Sequence, residues 1–269
     1  MVFSVASFNV NSVRVRLPIL QTWLTQHQPD VLALQEIKCE EKNFPATDLQ
    51  LVAGVDYDIF VVGQKSYNGV AMLCKKKYAA KLINHQLMAD MAQSRFLDIA
   101  VNGVRVINIY APNGNPVFAN DQTTHSEKFL YKINWLQSLY DYLQPMADNE
   151  IPFLMVGDYN ICPEDIDCYD ANLLKNDALL QPESRAAFRH LQFLGLIDLF
   201  RGQHPREPMC YSYWDYTKGA FQKNNGLRID HCLATAQLAD RLTDIVIDQK
   251  PRHAEQPSDH TPIIAYFDI

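Results

Sequence analysis

The stretch FLDIAVNGVRVINIYAPNG, residues 96–114, decides the fold. Two β-rich apolar runs, Phe96–Val101 and Val104–Tyr110, are separated by Asn102-Gly103. An Asn-Gly pair supplies the two positive-φ residues that a tight turn between antiparallel strands requires. The spacing therefore predicts a hairpin whose second strand runs into Tyr110-Ala111-Pro112-Asn113-Gly114. Runs of the same kind recur to either side, at Val2–Phe8, Asp30–Gln35, Tyr57–Val62, Gly69–Cys74, Pro152–Val156, Arg228–Ala234 and Pro262–Phe267. Helical patterns lie between them. Leu17–His27 is one and Ser184–Leu194 another. The strongest is Glu127–Ala147, with Phe129, Ile133, Leu136, Tyr140 and Leu143 at helical spacing. Strands and helices thus mix from end to end, with no repeat, no low-complexity segment and no Gly/Ser/Pro-rich linker. The reading is one α/β domain over residues 1–269. So many half-buried strands fit two packed sheets better than one open sheet. Pro112–Ser126, Cys162–Pro182 and Gln203–Gly226 are long irregular stretches, which in a compact domain usually carry function.

Composition narrows the class. The 269 residues are 48% hydrophobic and 20% charged, which excludes disorder, collagen and disulfide scaffolds. Six scattered cysteines form no Cys-x-x-Cys pair, and Cys162 and Cys168 lack a second Cys/His pair at zinc-site spacing. The start MVFSVASFNV has neither a basic region nor an apolar core, and no apolar run approaches the roughly 18 residues of a membrane span. These features point to a cytoplasmic protein with free thiols and no membrane partner. Twenty-four Lys and Arg stand against 31 Asp and Glu, a net charge of −7. That balance alone argues against a nucleic-acid partner, because phosphate binding normally shows as excess positive charge.

The predicted strand ends finish in carboxylates and amides. Asn9 and Asn11 follow the first strand, Glu36 the second, and Gly157-Asp158-Tyr159-Asn160 the strand at 152–156. Asp230 sits in an apolar setting near the start of Arg228–Ala234, where a carboxylate needs a partner, and His260 is the natural one. Ser258-Asp259-His260 precedes the last strand. Polar groups at strand ends of a rigid scaffold are how active sites are commonly built. Oxygen donors dominate the set, which suits Mg²⁺ or Mn²⁺ over zinc or copper. The combination predicts metal-assisted hydrolysis of a phosphate ester. Each piece alone has a plainer explanation: a solvated Glu, an Asx turn at Asp158, a strand-end aromatic at Tyr110.

Their order and spacing are more specific. SFNVNSVRVR (7–16), DVLALQEIK (30–38), YNGVAML (67–73), NIYAPNG (108–114), GDYNICPEDID (157–167), YSYWDY (211–216), NNGLRIDHCLAT (224–235) and SDHTPI (258–263) together resemble the exonuclease III family of AP endonucleases, within the endonuclease/exonuclease/phosphatase superfamily. LQE, GDxN and SDH mark the superfamily, whereas YAPNG, YSYWDY and GLRID point to its DNA-repair branch. The resemblance spans essentially the whole chain. It implies a four-layer α/β sandwich, with two mixed sheets face to face and helices outside. It also implies incision of duplex DNA 5′ to abasic sites, with 3′-phosphodiesterase, 3′-phosphatase and 3′→5′ exonuclease activities, in a protein that is usually monomeric.

Residue roles follow from the resemblance in the same way. Glu36 matches the principal Mg²⁺ ligand, with Asp259 and Asn9 in or beside the site and one or two ions bound. Asp158 matches the general base or a metal ligand. Asn160 would orient the nucleophile and share the metal site, and His260 would contact the phosphate, held by Asp230. Tyr110 and Asn113 would flank the phosphate. Tyr213, Leu227 and Ile229 match the pocket for the bare sugar, with Trp214 beside them and Arg95, Arg228 and Asn224 as further substrate contacts. This chain has Tyr213 where the family often has Trp or Phe, Leu227 where some members have Trp, and Asn11 where some have Asp. Its loop at 115–127 is also longer than expected. The negative net charge then becomes an average over the molecule. Arg14, Arg16, Lys38, Lys65, Arg95, Lys128, Lys218, Lys223, Arg228 and Arg252 are expected to form a DNA-facing strip. Two other classes share parts of the pattern: other superfamily hydrolases acting on phospholipids or inositol phosphates, and a catalytically dead nucleic-acid-binding relative.

Overall fold

The computed structural model describes residues 2–87 and 93–269. The predicted hairpin is β7 (Phe96–Val101) paired antiparallel with β8 (Val104–Tyr110), closed by Asn102 at φ 50° and Gly103 at φ 79°. From β8 the chain passes through the 111–126 loop to α3 (Glu127–Asp148) and returns as β9 (Phe153–Asp158), parallel to β8. Parallel neighbours need such a crossover, and the helix supplies it. Ser126 starts α3 by accepting the Phe129 N–H, the N-capping arrangement. The N-terminal half repeats the device: β1 (Val2–Asn9), α1 (Leu17–His27) and β2 (Val31–Gln35), again parallel.

Antiparallel strands complete each sheet. One adds α2 (Ala46–Gln50), β3 (Leu51–Val52), β4 (Val55–Val62), β5 (Val70–Lys75), β12 (Leu242–Ile247) and β13 (Ile263–Asp268), giving strand order 12-13-1-2-5-4-3. The other adds β6 (Lys81–Asn84), β10 (Leu196–Asp198) and β11 (Asp230–Thr235), giving 10-11-9-8-7-6. The second sheet carries α4 (Pro182–Gln192), with α5 (Leu199–Gln203) and α6 (Ala236–Ala239) near its edge.

Strand alternation sorts side chains into layers. Phe3, Val5, Val31, Ala33, Val106, Leu154, Val156 and Cys232 meet between the sheets. Ala6, Phe8, Leu32 and Leu34 face outward onto Leu20, Trp23 and Leu24 of α1. Ile107, Ile109, Phe153 and Met155 face outward onto Trp135, Leu136 and Leu139 of α3. The result is the four-layer α/β sandwich of two mixed sheets. β3, β6, β10 and β12 escape a pattern-based reading because they are very short or largely exposed edge strands.

The inner faces turn polar toward one end. Along β1 the inward residues run Phe3, Val5, Ser7, Asn9, and Gln35 ends the inward face of β2. Gln35 donates to Ser7 Oγ at 3.0 Å and to Asn108 Oδ1 at 2.8 Å, and Asn108 donates across to the Leu34 and Ala71 carbonyls. These buried hydrogen bonds stitch the two sheets together beneath the end where the parallel strands finish. Asn9, Glu36, Tyr110 and Asp158 lie there, and β11 and β13 start at the same end with Asp230 and, just upstream, His260.

Candidate active site

At that end a cavity of about 490 Å³ opens, lined by Glu36, Tyr110, Asn113, Asp158, Asn160, Tyr213, Leu227, Ile229, Asp259 and His260 among others. Local backbone geometry sets the polar floor. Gly157 takes φ 143°, and a Cβ there would lie 2.0 Å from the Ile109 carbonyl oxygen, so only glycine lets β9 lie against β8 immediately before Asp158. Asp158 Oδ1 then accepts the Asn160 N–H at 2.9 Å, an Asx turn with Asn160 at φ 50°. Asn160 Nδ2 donates to the Ala111 carbonyl at 2.9 Å, while its Oδ1 accepts from Asn113 Nδ2 at 3.1 Å. The YAPNG and GDYN segments, 47 positions apart at the Asn113–Asn160 contact, are thereby locked together.

Glu36, Asp158 and His260 each bring a ligand-capable atom within 4.8 Å of the others. Burial pushes the Glu36 carboxyl up, but Lys38 at 2.9 Å and the Asn9 amide outweigh it and hold it below its ordinary value. Asp158 is fully enclosed and is pushed up to about 7 by burial and by the charges of Asp230 and Glu36, against the attraction of His260. His260 Nδ1 lies 2.8 Å from Asp230 Oδ2, and its Nε2 lies 3.8 Å from Asp158 Oδ2. Burial opposes its charge, yet Asp230 and Asp158 raise it to about 10, so the ring is an imidazolium at neutral pH. Burial and the nearby Glu36 charge also push the Tyr110 hydroxyl well up, keeping it a proton donor.

A carboxylate crowded by two others favours a bound cation, and oxygen donors fit a hard divalent ion that retains several waters. Glu36 and Asp158 supply those donors. Asn9 bridges these carboxylates: its Nδ2 donates to Glu36 Oε1 and to Asp158 Oδ2, both at 3.0 Å, and its Oδ1 accepts the Asn11 N–H. Asp259 faces the same cavity outside the close trio, accepting from Asn11 Nδ2 at 2.9 Å.

The cavity's side wall is apolar. Tyr213 and Leu227 form a β-bridge, as do Cys168 and Leu227, and Leu179 and Ile229 pack with them. Gly226 permits this: a Cβ there would meet Trp214 Nε1 at 2.5 Å and Tyr211 at 2.6 Å. Tyr213 also packs on His260, ring centroids 4.9 Å apart. Several expected contacts are placed elsewhere. Trp214 is fully buried and donates to Asn224 Oδ1 at 3.0 Å, so both brace the wall from behind and neither lines the cavity. The neighbouring Asn225 does line it. Arg228 is fully buried and turned inward. It pairs with Asp167 at 2.7 Å and Asp198 at 2.9 Å and contacts His231 Nδ1 at 2.9 Å, so it cannot reach DNA. Arg252 is likewise buried, donating to the Ser258 and Trp214 carbonyls and stacking on Phe221. Arg228 and Arg252 therefore leave the expected basic strip. Arg95 is mostly buried, lies 4.4 Å over the Tyr110 ring and donates to the Tyr110 carbonyl, but it also lines an adjoining depression with Lys128.

Some residues escaped the sequence reading. Asn115 and Asp177 line the cavity and hydrogen-bond to each other at 3.0 Å, tying the 115–127 loop to the 162–182 loop. Lys132 is fully buried on the apolar face of α3, and burial lowers its ammonium to about 7 against the pull of Asp177 and Asp158. Its helical spacing resembles that of a core residue, and nothing local in sequence reveals its partners.

A two-sheet sandwich with a carboxylate and imidazolium cluster at its strand ends defines a metal-assisted phosphoester hydrolase. The chain belongs to the Endonuclease/Exonuclease/phosphatase family, which matches residues 6–260. It is 36% identical to exodeoxyribonuclease III of Haemophilus influenzae over 273 residues, covering 97% of this chain and 98% of that one. Among solved structures, an AP endonuclease from Archaeoglobus fulgidus is 37% identical with a TM-score of 0.89, covering 99% of this chain and all of the other. The Neisseria 3′ phosphatase NExo, bound to a product DNA hairpin, is 35% identical, with the same TM-score and coverage. The relatives thus act on DNA. Among the described residues no helix is long and apolar enough to cross a membrane.

Proposed function

We propose that this protein is a Mg²⁺-dependent repair nuclease that incises duplex DNA 5′ to abasic sites and also processes blocked 3′ ends. Mn²⁺ is the alternative ion for the same oxygen donors, with one or two ions bound. The chain acts as a monomer and one domain over residues 1–269 in the cytoplasm. The monomer is the state that the family resemblance implies, and six free cysteines support a reducing compartment. The carrying observation is the pairing of the Glu36, Asp158 and His260 floor with the apolar Leu227, Ile229 and Tyr213 wall. The floor suits a phosphodiester, and the wall suits a sugar that lacks its base. Such a sugar leaves the helix at lower cost than an intact nucleotide.

The chemistry follows from these positions. Glu36 would hold a divalent ion, which would offset charge on the phosphate and on the departing 3′ oxygen. Asp158, its carboxyl pushed up by burial and by the charges of Asp230 and Glu36, takes the proton of the attacking water. His260, kept charged and aimed by Asp230, donates from Nε2 to a non-bridging oxygen. Asn160 holds Asp158 in place through its N–H and Nδ2, Asn113, anchored on Asn160 Oδ1, presents its remaining amide hydrogen to the phosphate, and Tyr110 keeps its proton to donate to the same group.

A panel of duplexes with one abasic site, a 3′-phosphate or no damage, assayed in defined Mg²⁺ or Mn²⁺, tests the reading. The expected product is a single nick with a 3′-hydroxyl and a 5′-deoxyribose phosphate. Hydrolysis of inositol phosphates or phospholipids with no attack on abasic duplex would refute it.

A further inference from the structure

Lys132 belongs to no part of the chemistry above, yet its ammonium sits where three active-site loops converge. It donates to the Asn113 carbonyl at 3.1 Å, the Asn160 carbonyl at 2.6 Å and the Ala178 carbonyl at 3.2 Å. An ammonium has three donors and no acceptor, so every one is used. The acceptors come from the segment after β8, the turn after β9 and the 162–182 loop. Asn113 and Asn160 line the cavity themselves, and Ala178 lies between the lining residues Asp177 and Leu179. Gly114 makes room for the stem: a Cβ there would lie 2.7 Å from Lys132 Cδ, and the residue sits at φ 89°.

We propose that Lys132 is a positioning residue that sets the Asn113 segment against the Asp158-bound Asn160 and docks the 177–179 wall against both. The inference rests on the proposed nuclease function and assigns the third loop to the same device. Asn160 is already tied to Asp158, its N–H to Oδ1 at 2.9 Å and its Nδ2 to Oδ2 at 3.3 Å, but those bonds leave the Asn113 segment and the 177–179 wall free to shift against that pair. A helix anchored in the core, acting through one convergent cation, removes that freedom. The rigidity matters because misplacing reacting groups by about 1 Å lowers rates by about 100-fold.

Lys132→Met keeps the stem and removes the donors. On abasic duplex, on 3′-phosphate duplex and on bis(p-nitrophenyl) phosphate, kcat should fall about 100-fold relative to wild type. KM should stay within about threefold, with the same factor on each substrate. Circular dichroism and thermal unfolding report whether the variant is folded. Lys132→Gln, which keeps a shorter polar stem without the three convergent donors, is the second variant and should give the same kcat-selective loss if Lys132→Met does not fold. A folded Lys132→Met with near-wild-type kcat, or a loss residing wholly in KM, would overturn the proposal. Wild-type activity on the other two substrates but not on abasic duplex would instead refute the lesion assignment, and the Lys132 comparison would still be read from the substrates that turn over.

Discussion

Replacing Arg228 by Met separates two accounts of one residue. As a DNA contact, Arg228 would affect binding alone. As placed here, it is the centre of a buried network: Nε to Asp167 Oδ1 at 2.7 Å, Nη2 to Asp167 Oδ2 at 3.1 Å and to Asp198 Oδ2 at 2.9 Å, and Nη1 to His231 Nδ1 at 2.9 Å. Removing one partner of a buried ion pair costs about 3–5 kcal/mol, because the other charge is left unpaired. Arg201 still holds Asp167 at 2.5 Å, and Asp198 keeps the Arg201 N–H at 3.2 Å, so the lower end, about 3 kcal/mol, is expected. For a chain of this size that is a fall of about 5 °C in Tm. Burial pushes Asp167 up, but the charges of Arg228 and Arg201 hold its carboxyl below the ordinary value. A depressed carboxyl gives stability present above its unfolded pKa and lost as pH falls through its folded pKa. The difference between wild type and variant should therefore be largest at neutral pH and shrink as pH drops below about 4. Urea unfolding at several pH values measures it. Stability within about 1 kcal/mol of wild type, with weaker DNA binding and a salt slope reduced by about one, would refute the placement and restore the DNA contact.

Two further perturbations address the electrostatics. His231 is lowered to about 4 by burial and by Arg228, with Nε2 at 2.9 Å from the Ile161 carbonyl. Between its folded value and the ordinary 6.5 the unfolded chain binds a proton that the native state refuses, so stability is lost as pH drops through that range, by about 3 kcal/mol in total. Urea unfolding should show that acid-side loss reduced in His231→Gln, and ¹⁵N chemical shifts showing a charged ring at pH 6 would contradict it. Glu36→Ala should raise the Mg²⁺ concentration needed for half-maximal incision, and an unchanged metal titration would remove Glu36 from the ion's ligands.

The hairpin at 96–110 and the helix at 127–147 were legible because their signals are local: an Asn-Gly turn and a repeating apolar face. The strand-end polar residues were legible too, since a rigid strand fixes where Asp158 or Glu36 must emerge. Long-range choices were not. Whether an arginine beside Leu227 points out to DNA or in toward Asp167 depends on a carboxylate 61 positions away. Lys132 falls at a core position of its helix, and its need for partners is met only when the Asn113, Asn160 and Ala178 carbonyls are brought to it. In each case the sequence names the functional group but not which of its faces is occupied.

The central claim is that Asp158 and His260 act on a phosphodiester beside a metal held at Glu36. It is tested most directly by the single-turnover rate of nicking 5′ to an abasic site, with Mg²⁺ or EDTA, for wild type, Asp158→Asn and His260→Asn of equal thermal stability. The account predicts efficient nicking by wild type in Mg²⁺, none in EDTA, and losses of about 100-fold or more in each variant. Near-wild-type nicking by both folded variants, or nicking undiminished in EDTA, would contradict it.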